Sequence, residues 1–126
     1  MGNLAQTKLR EVLEKLQKNV AEIQAIVLLG PDGVIDHVRI DPNLNLDTIA
    51  GEYGTLLRIA GLASDDTGGG NLIEHIVVSE KSVMIARVVS PDHFLILLSR
   101  SQDQIGRARY ELKHAAREIQ EKSKFH

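Results

Sequence analysis

The chain contains no cysteine and no tryptophan. Without thiols there is no disulfide framework, thiolate nucleophile or thiolate zinc site, and cysteine usage gives no argument for secretion. Aromatic residues make up only 3% of the chain, which argues against a large planar ligand that needs stacking partners. Neither sign of charge is in excess: 15 Lys and Arg against 17 Asp and Glu leave a net charge of -2. That balance offers no electrostatic footprint for nucleic acid or an anionic membrane. The longest apolar runs, residues 25–30 and 94–98, fall far short of the roughly 20 residues that span a bilayer. No membrane insertion is expected, and the expected location is cytoplasmic. Met1-Gly2 opens the chain, but Gln6 stands where an N-myristoylation signal needs a hydroxyl, and Thr7 comes one place late.

What remains is the composition of a folded globular domain, 43% hydrophobic and 25% charged over 126 residues. That length supports one core, so a single domain over residues 1–126 is expected. No repeat or low-complexity linker divides it.

Leu9, Val12, Leu13, Leu16 and Val20 recur at helical spacing and predict an amphipathic first helix. Residues 25–29 are continuously apolar, Gly30-Pro31-Asp32-Gly33 punctuates them, and residues 34–40 alternate apolar groups with Asp36, His37 and Arg39. This pattern predicts a hairpin with a covered first strand and a charged, edge-like second one. Asn45 or Asp47 can cap a second helix running to about Ser64. The segment from Asp65 to Gly70 reads as a flexible connection. Strand-like runs follow at residues 72–79, 83–89 and 94–99, and their short connections favour an antiparallel meander. Ile105, Ala108, Leu112, Ala115, Ala116 and Ile119 then mark one face of a last helix, with Ser101 or Asp103 as its cap. The expected fold class is α+β, in the order α-β-β-α-β-β-β-α. A five-stranded antiparallel sheet lies between the central helix and the two terminal ones. The two fully apolar strands, 25–29 and 94–98, belong together at its centre.

The middle helix is the unusual element. Projected at about 100° per residue, it places Leu46, Ile49, Ala50, Tyr53, Leu56, Leu57 and Ala60 toward the core. The opposite face carries Gly51, Gly54, Thr55, Ile59, Gly61 and Leu62 and little charge besides Arg58, Asp47 and Glu52. Each interior glycine costs about 1 kcal/mol relative to alanine, a cost that close approach of a second helix would offset. The strand at 72–79 tells the same story: it lies at a sheet edge without Pro or Lys and with Glu74 as its only charge before the closing turn, so its open amides and carbonyls invite another strand. A two-fold homodimer answers both, with Gly51, Gly54, Arg58, Gly61, Ile73, His75 and Val77 at the interface. The competing reading is a bent helix under a flexible loop, with an edge blunted by twist or by Glu74.

Several strings, taken with the element order, resemble the roadblock (roadblock/dynein light chain) family over nearly the whole chain. They are Gly30-Pro31-Asp32-Gly33-Val34-Ile35, Thr48-Ile49-Ala50-Gly51, the 94–98 strand, and Ile105-Gly106-Arg107-Ala108-Arg109-Tyr110-Glu111-Leu112. The resemblance implies a profilin-like sheet between helices, and dimers formed by joining sheets and stacking second helices. Bacterial members act on Ras-like small GTPases, stimulating hydrolysis or serving as platforms. Eukaryotic relatives are subunits of motor and nutrient-signalling assemblies.

Other candidate sites are weaker. Gly68-Gly69-Gly70 lacks the Lys-Ser/Thr and the following helix of a phosphate cradle. His37, His75, His93, His114 and His126 fall on different elements without metal-ligand spacing, and no metal or cofactor is expected. His75, at the predicted interface, gives dimerisation a titratable group near neutrality. Ser90, Asp92 and His93 lie in a tight turn, which is not expected to orient a base onto its own neighbouring nucleophile. Arg58 and Arg87 are the arginines that could serve as a finger to a GTPase, yet the resemblance endorses neither. The leading expectation is a non-enzymatic homodimer that binds a Ras-like small GTPase through Gly51, Thr55, Arg58 and Leu62. A nucleotide-independent structural adaptor and a ligand-sensing domain are the alternatives.

Overall fold

Two short turns build the ends of the sheet. We describe residues 4–123 of a computed structural model; the Met1-Gly2 start and His126 lie outside them. The elements are α1 (Leu4–Asn19), β1 (Ile23–Gly30), β2 (Gly33–Arg39), α2 (Leu46–Asp66), β3 (Glu74–Val78), β4 (Val83–Ser90), β5 (His93–Ser99) and, after a 3-10 turn at Gln102–Gln104, α3 (Ile105–Ser123). In the first hairpin Gly33 adopts φ 125°, a backbone conformation that other residues rarely take. The five strands are antiparallel in the order β2-β1-β5-β4-β3. The two apolar strands, β1 and β5, are neighbours at the centre, because only strands covered on both faces sustain such composition.

Alternation along these strands divides the core into two layers. Ile26 and Leu28 of β1, Ile85 of β4, and Leu95 and Leu97 of β5 face α1 and α3, where they meet Leu13, Leu16, Leu112 and Ile119. Ala25, Val27, Leu29, Met84, Phe94 and Ile96 face the other way and pack with Ile49 and Leu57 of α2. Arg10 of α1 reaches Asp36 of the β2 edge at 3.1 Å. That ion pair helps to protect the charged edge, as residues 34–40 lead one to expect.

Helix α2 starts where its cap requires. Asn45 is extended, and its side-chain oxygen accepts a hydrogen bond from the Thr48 amide at 3.0 Å. The helix runs two residues past Ser64, so Asp65 and Asp66 belong to it. The glycine stretch after it folds back on the helix end instead of hanging free: the Gly69 amide donates to the Ser64 carbonyl at 2.7 Å, and the Ser64 hydroxyl to the Gly70 carbonyl at 2.8 Å. Gly68 and Gly70 both have positive φ, which is why this reversal uses glycine. Strand β3 is shorter than its apolar pattern, beginning at Glu74 and ending at Val78. The turn after it is closed by the Ser79 amide bonding to the Ser82 carbonyl at 2.8 Å.

The roll of α2 differs from its helical projection. Gly54 is buried, and a Cβ placed there would lie 3.0 Å from Leu29 Cδ2 of β1. Leu56, expected in the core, is 36% exposed. The physical cause is where the helix rests. It packs over β1 and β2 near one side of the sheet, and the missing side chain at Gly54 lets its backbone settle onto Leu29. That contact turns the core-facing sector toward Gly54 and away from Leu56. Gly54 therefore serves the chain's own core and leaves the set of free-face residues.

Candidate functional site

Because α2 rests over β1 and β2, the β3 and β4 side of the same sheet face is left partly open. The result is a cleft of about 470 Å³. Its helix wall is Leu57, Arg58, Gly61, Leu62 and Asp65; Asn71, Leu72, Val88, Ser90, Pro91 and Phe94 complete it. A concave, mainly apolar surface with a few converging polar groups is a binding feature. Its exposed rim is greasy for a helix surface: Leu62 is 65% exposed, and Ile59, further round the helix, 58%.

The predicted residues separate into groups here. Gly51, Thr55, Arg58 and Leu62 share the outward flank at helical spacing, and all four are exposed. At Gly51 and Gly61 an added Cβ would meet nothing within 4 Å, so neither glycine is needed by its own chain's packing. Thr55 turns its hydroxyl back to the Gly51 carbonyl at 2.7 Å, leaving its methyl group as the outward contact. The Arg58 guanidinium lies against the notch at Gly54, 3.2 Å from where a Cβ would stand. Among the described residues neither Arg58 nor Asp65 joins an ion pair.

Ile73, His75 and Val77 lie at or beside the β3 edge. Ile73 precedes the strand, is 61% exposed, and its carbonyl accepts from the Val88 amide at 3.0 Å. Val77 packs with the α2 layer, while Ile76 packs with the opposite one. By alternation His75 shares the α2 side with Val77. Among the described residues strand β3 pairs only with β4, so no other described strand pairs its outer backbone groups.

The edge is held in place from the other face. Glu74, whose side chain is 13% exposed, bonds Arg87 of β4 at 3.4 Å and Arg109 of α3 at 2.8 Å. Arg87 is thereby committed to an internal bridge and is not poised as a finger. Glu74, named in the sequence only as a lone edge charge, is the residue that ties the edge strand to α3. Its two cationic partners come from segments too distant in sequence for spacing to reveal.

The turn between β4 and β5 corrects a second expectation. Ser90 Oγ lies 2.7 Å from His93 Nδ1, because the two residues are a cross-strand pair at the end of the hairpin. A tight turn therefore does bring them together. Ser90 is 5% exposed and lines the cleft, so the bond closes the hairpin at the cleft's floor.

At the opposite end of the sheet, Asp41 accepts hydrogen bonds from the Asn43 amide, Arg100 and Gln24. The Asn43 amide is the largest influence holding its carboxyl below the usual aspartate range; desolvation opposes it, and the hydrogen bonds from Arg100 and Gln24 together with the Arg100 charge add to the lowering. Among the described residues no group of three or more acidic or histidine side chains could hold a metal, and no helix is long and apolar enough to cross a membrane.

No protein-family model matches the chain, and neither does any curated protein. Solved structures do. Myxococcus xanthus MglB superposes with a TM-score of 0.87 at 17% identity, over 98% of this chain and 93% of that one. MglC from Myxococcus xanthus is similar at 29% identity with a TM-score of 0.64, over 94% and 99%. A Roadblock/LC7 domain from Streptomyces avermitilis matches with a TM-score of 0.76 at 17% identity, over 91% and 97%. The element order, the sheet between unlike helix layers and these superpositions agree on one conclusion: the chain has the Roadblock/LC7 fold.

Proposed function

We propose that the protein is a cytoplasmic, non-enzymatic homodimer that binds a Ras-like small GTPase and modulates its GTP hydrolysis. The observation that carries this reading is one continuous unsatisfied surface. The apolar flank of α2, the cleft beside it and the open β3 edge stand on one side of the molecule, where water is a poor neighbour for the exposed apolar side chains and the unpaired edge is a template for another strand. A second copy joined at β3 and stacked at α2 covers part of that surface. The two α2 helices then form a composite platform around Gly51, Thr55, Arg58 and Leu62. The likeness to MglB and to the Roadblock/LC7 domain supports this reading at the level of fold.

A platform of this kind acts by differential binding. It shifts the GTPase's switch loops toward hydrolysis only as far as it binds that arrangement better than the others. In this reading the chain supplies no catalytic side chain: Arg87 is bridged to Glu74, Ser90 is buried, and Arg58 belongs to the contact surface.

The test is GTP turnover and complex formation with purified small GTPases from the same genome. Binding that favours the GTP form, with altered turnover, is the expected result. Absence of binding to any of them, in either nucleotide state, overturns the reading. Equal capture with GDP and with a non-hydrolysable GTP analogue would point instead to a nucleotide-independent adaptor.

A further inference from the structure

The charges on the cleft's helix wall have a pattern that copes with its own mirror. Arg58 and Asp65 lie seven residues apart, two turns or about 10 Å along the axis, and so on one flank of α2. Both line the cleft, and neither has an ionic partner among the described residues. In an antiparallel pair of α2 helices related by a two-fold axis, the order positive then negative on one helix meets negative then positive on the other. Midway between the two charges stand Gly61 and Leu62. Gly61 has open space where a side chain would be, and Leu62 is the most exposed large hydrophobic residue among those described. A helix crossing at that point seats each Leu62 over the opposite Gly61 and brings both charge pairs together.

We infer that the C-terminal half of α2 is the homodimer seam, in which Arg58 of each protomer pairs with Asp65 of its partner across a Gly61–Leu62 crossing. The inference rests on the homodimer proposed above and adds which residues set its register; Arg58 and Leu62 then line the seam that the platform surrounds, and Gly51 and Thr55 are left as its partner-facing residues. The location follows from the fold as well. Of the α2 residues, Leu57, Arg58, Gly61, Leu62 and Asp65 line the cleft, across from Asn71 and Leu72, which lead into β3, and Val88 of β4, so this half of the helix lies on the side that leads to the open edge. Two reciprocal pairs reject a copy stacked in a shifted register, where like charges meet. The cleft is thus incomplete in one chain, and the second chain supplies a partner for each of its two charges and its apolar plug.

Charge reversal tests this. Sedimentation equilibrium would be run on the wild type, Arg58→Asp, Asp65→Arg and the double variant Arg58→Asp/Asp65→Arg, with far-UV circular dichroism to confirm folding. Each single reversal places like charges together and is expected to weaken the dimer by roughly tenfold or more. The double variant restores opposite signs and is expected to return to within about threefold of the wild type. An equimolar mixture of the two single variants is expected to form a heterodimer in preference to either homodimer, since both of its pairs, position 58 of each chain with position 65 of the other, are then opposite in sign. A dimeric wild type indifferent to the single reversals overturns the seam and leaves the homodimer standing. A wild type that stays monomeric at high concentration overturns both. Single variants that weaken the dimer without rescue in the double also overturn the pairing.

Discussion

Gly51 and Gly54 stand on one helix, three residues apart, and the structure gives them opposite consequences. At Gly51 a Cβ would meet nothing within 4 Å. Gly51→Ala therefore adds helix propensity with no steric cost, a gain of about 0.5–1 kcal/mol. At Gly54 a Cβ would lie 3.0 Å from Leu29 Cδ2. Leu29 is 1% exposed in a strand flanked on both sides, so it has little room to withdraw. Gly54→Leu gains about 0.8 kcal/mol of propensity but suffers overpacking of about 1–3 kcal/mol or more, and it also displaces the Arg58 guanidinium. The two variants are thus expected to straddle the wild type, with a gap of about 1–3 kcal/mol, or several degrees in melting temperature. Urea titration at micromolar protein measures the order, with sedimentation on the same samples to establish that assembly state does not differ. If Gly54→Leu is as stable as the wild type, or if Gly51→Ala is the more damaging of the two, the roll assigned to α2 is refuted.

Two further outcomes follow from the packing and the electrostatics. Leu57→Ala removes the buried α2 side chain that packs on the sheet, 1% exposed; a loss of about 2–5 kcal/mol in a denaturant titration is expected, and a loss below about 1 kcal/mol would contradict its place in the core. Asp41 has a carboxyl lowered in the folded state, so its charged form favours folding above the ordinary aspartate range, and that contribution is lost as pH falls through the folded value. Asp41→Asn should therefore be less stable than the wild type near neutrality, with the gap closing under acid; a gap that does not change with pH would remove the hydrogen-bonded carboxylate as its cause.

How much of this was legible in the sequence depends on the kind of pattern involved. The order of strands was readable because β1 and β5 are apolar at nearly every position, and only a central place in the sheet buries both faces of a strand. A cap at Asn45 or Asp47, of which Asn45 is the one used, and the charged β2 edge were readable for similarly local reasons. The roll of α2 was not. Helical projection fixes which residues share a face, but the centre of the buried sector is set by where the helix lands on the sheet. Here a glycine at position 54 allowed a close contact with Leu29 that a projection weighted by hydrophobicity assigns to leucine at 56. The Ser90–His93 contact was missed for a different reason. Reading Ser90 and His93 as members of a turn obscured that they are also the last cross-strand pair, where side chains stand within hydrogen-bond reach.

The same distinction bears on the interface. Three glycines in α2 first presented themselves as one signal, a helix stripped for a partner. The structure divides them: Gly54 accommodates the chain's own Leu29 and Arg58, whereas Gly51 and Gly61 face open space. Internal packing accounts for one glycine and leaves two whose cost in helix stability has no internal return. Those two lie on the flank that also exposes Leu62 and carries the unbridged Arg58, beside a strand with an unpaired edge. A monomer gives no physical reason for these features to lie together, whereas a second copy of the same chain gives the same reason for each.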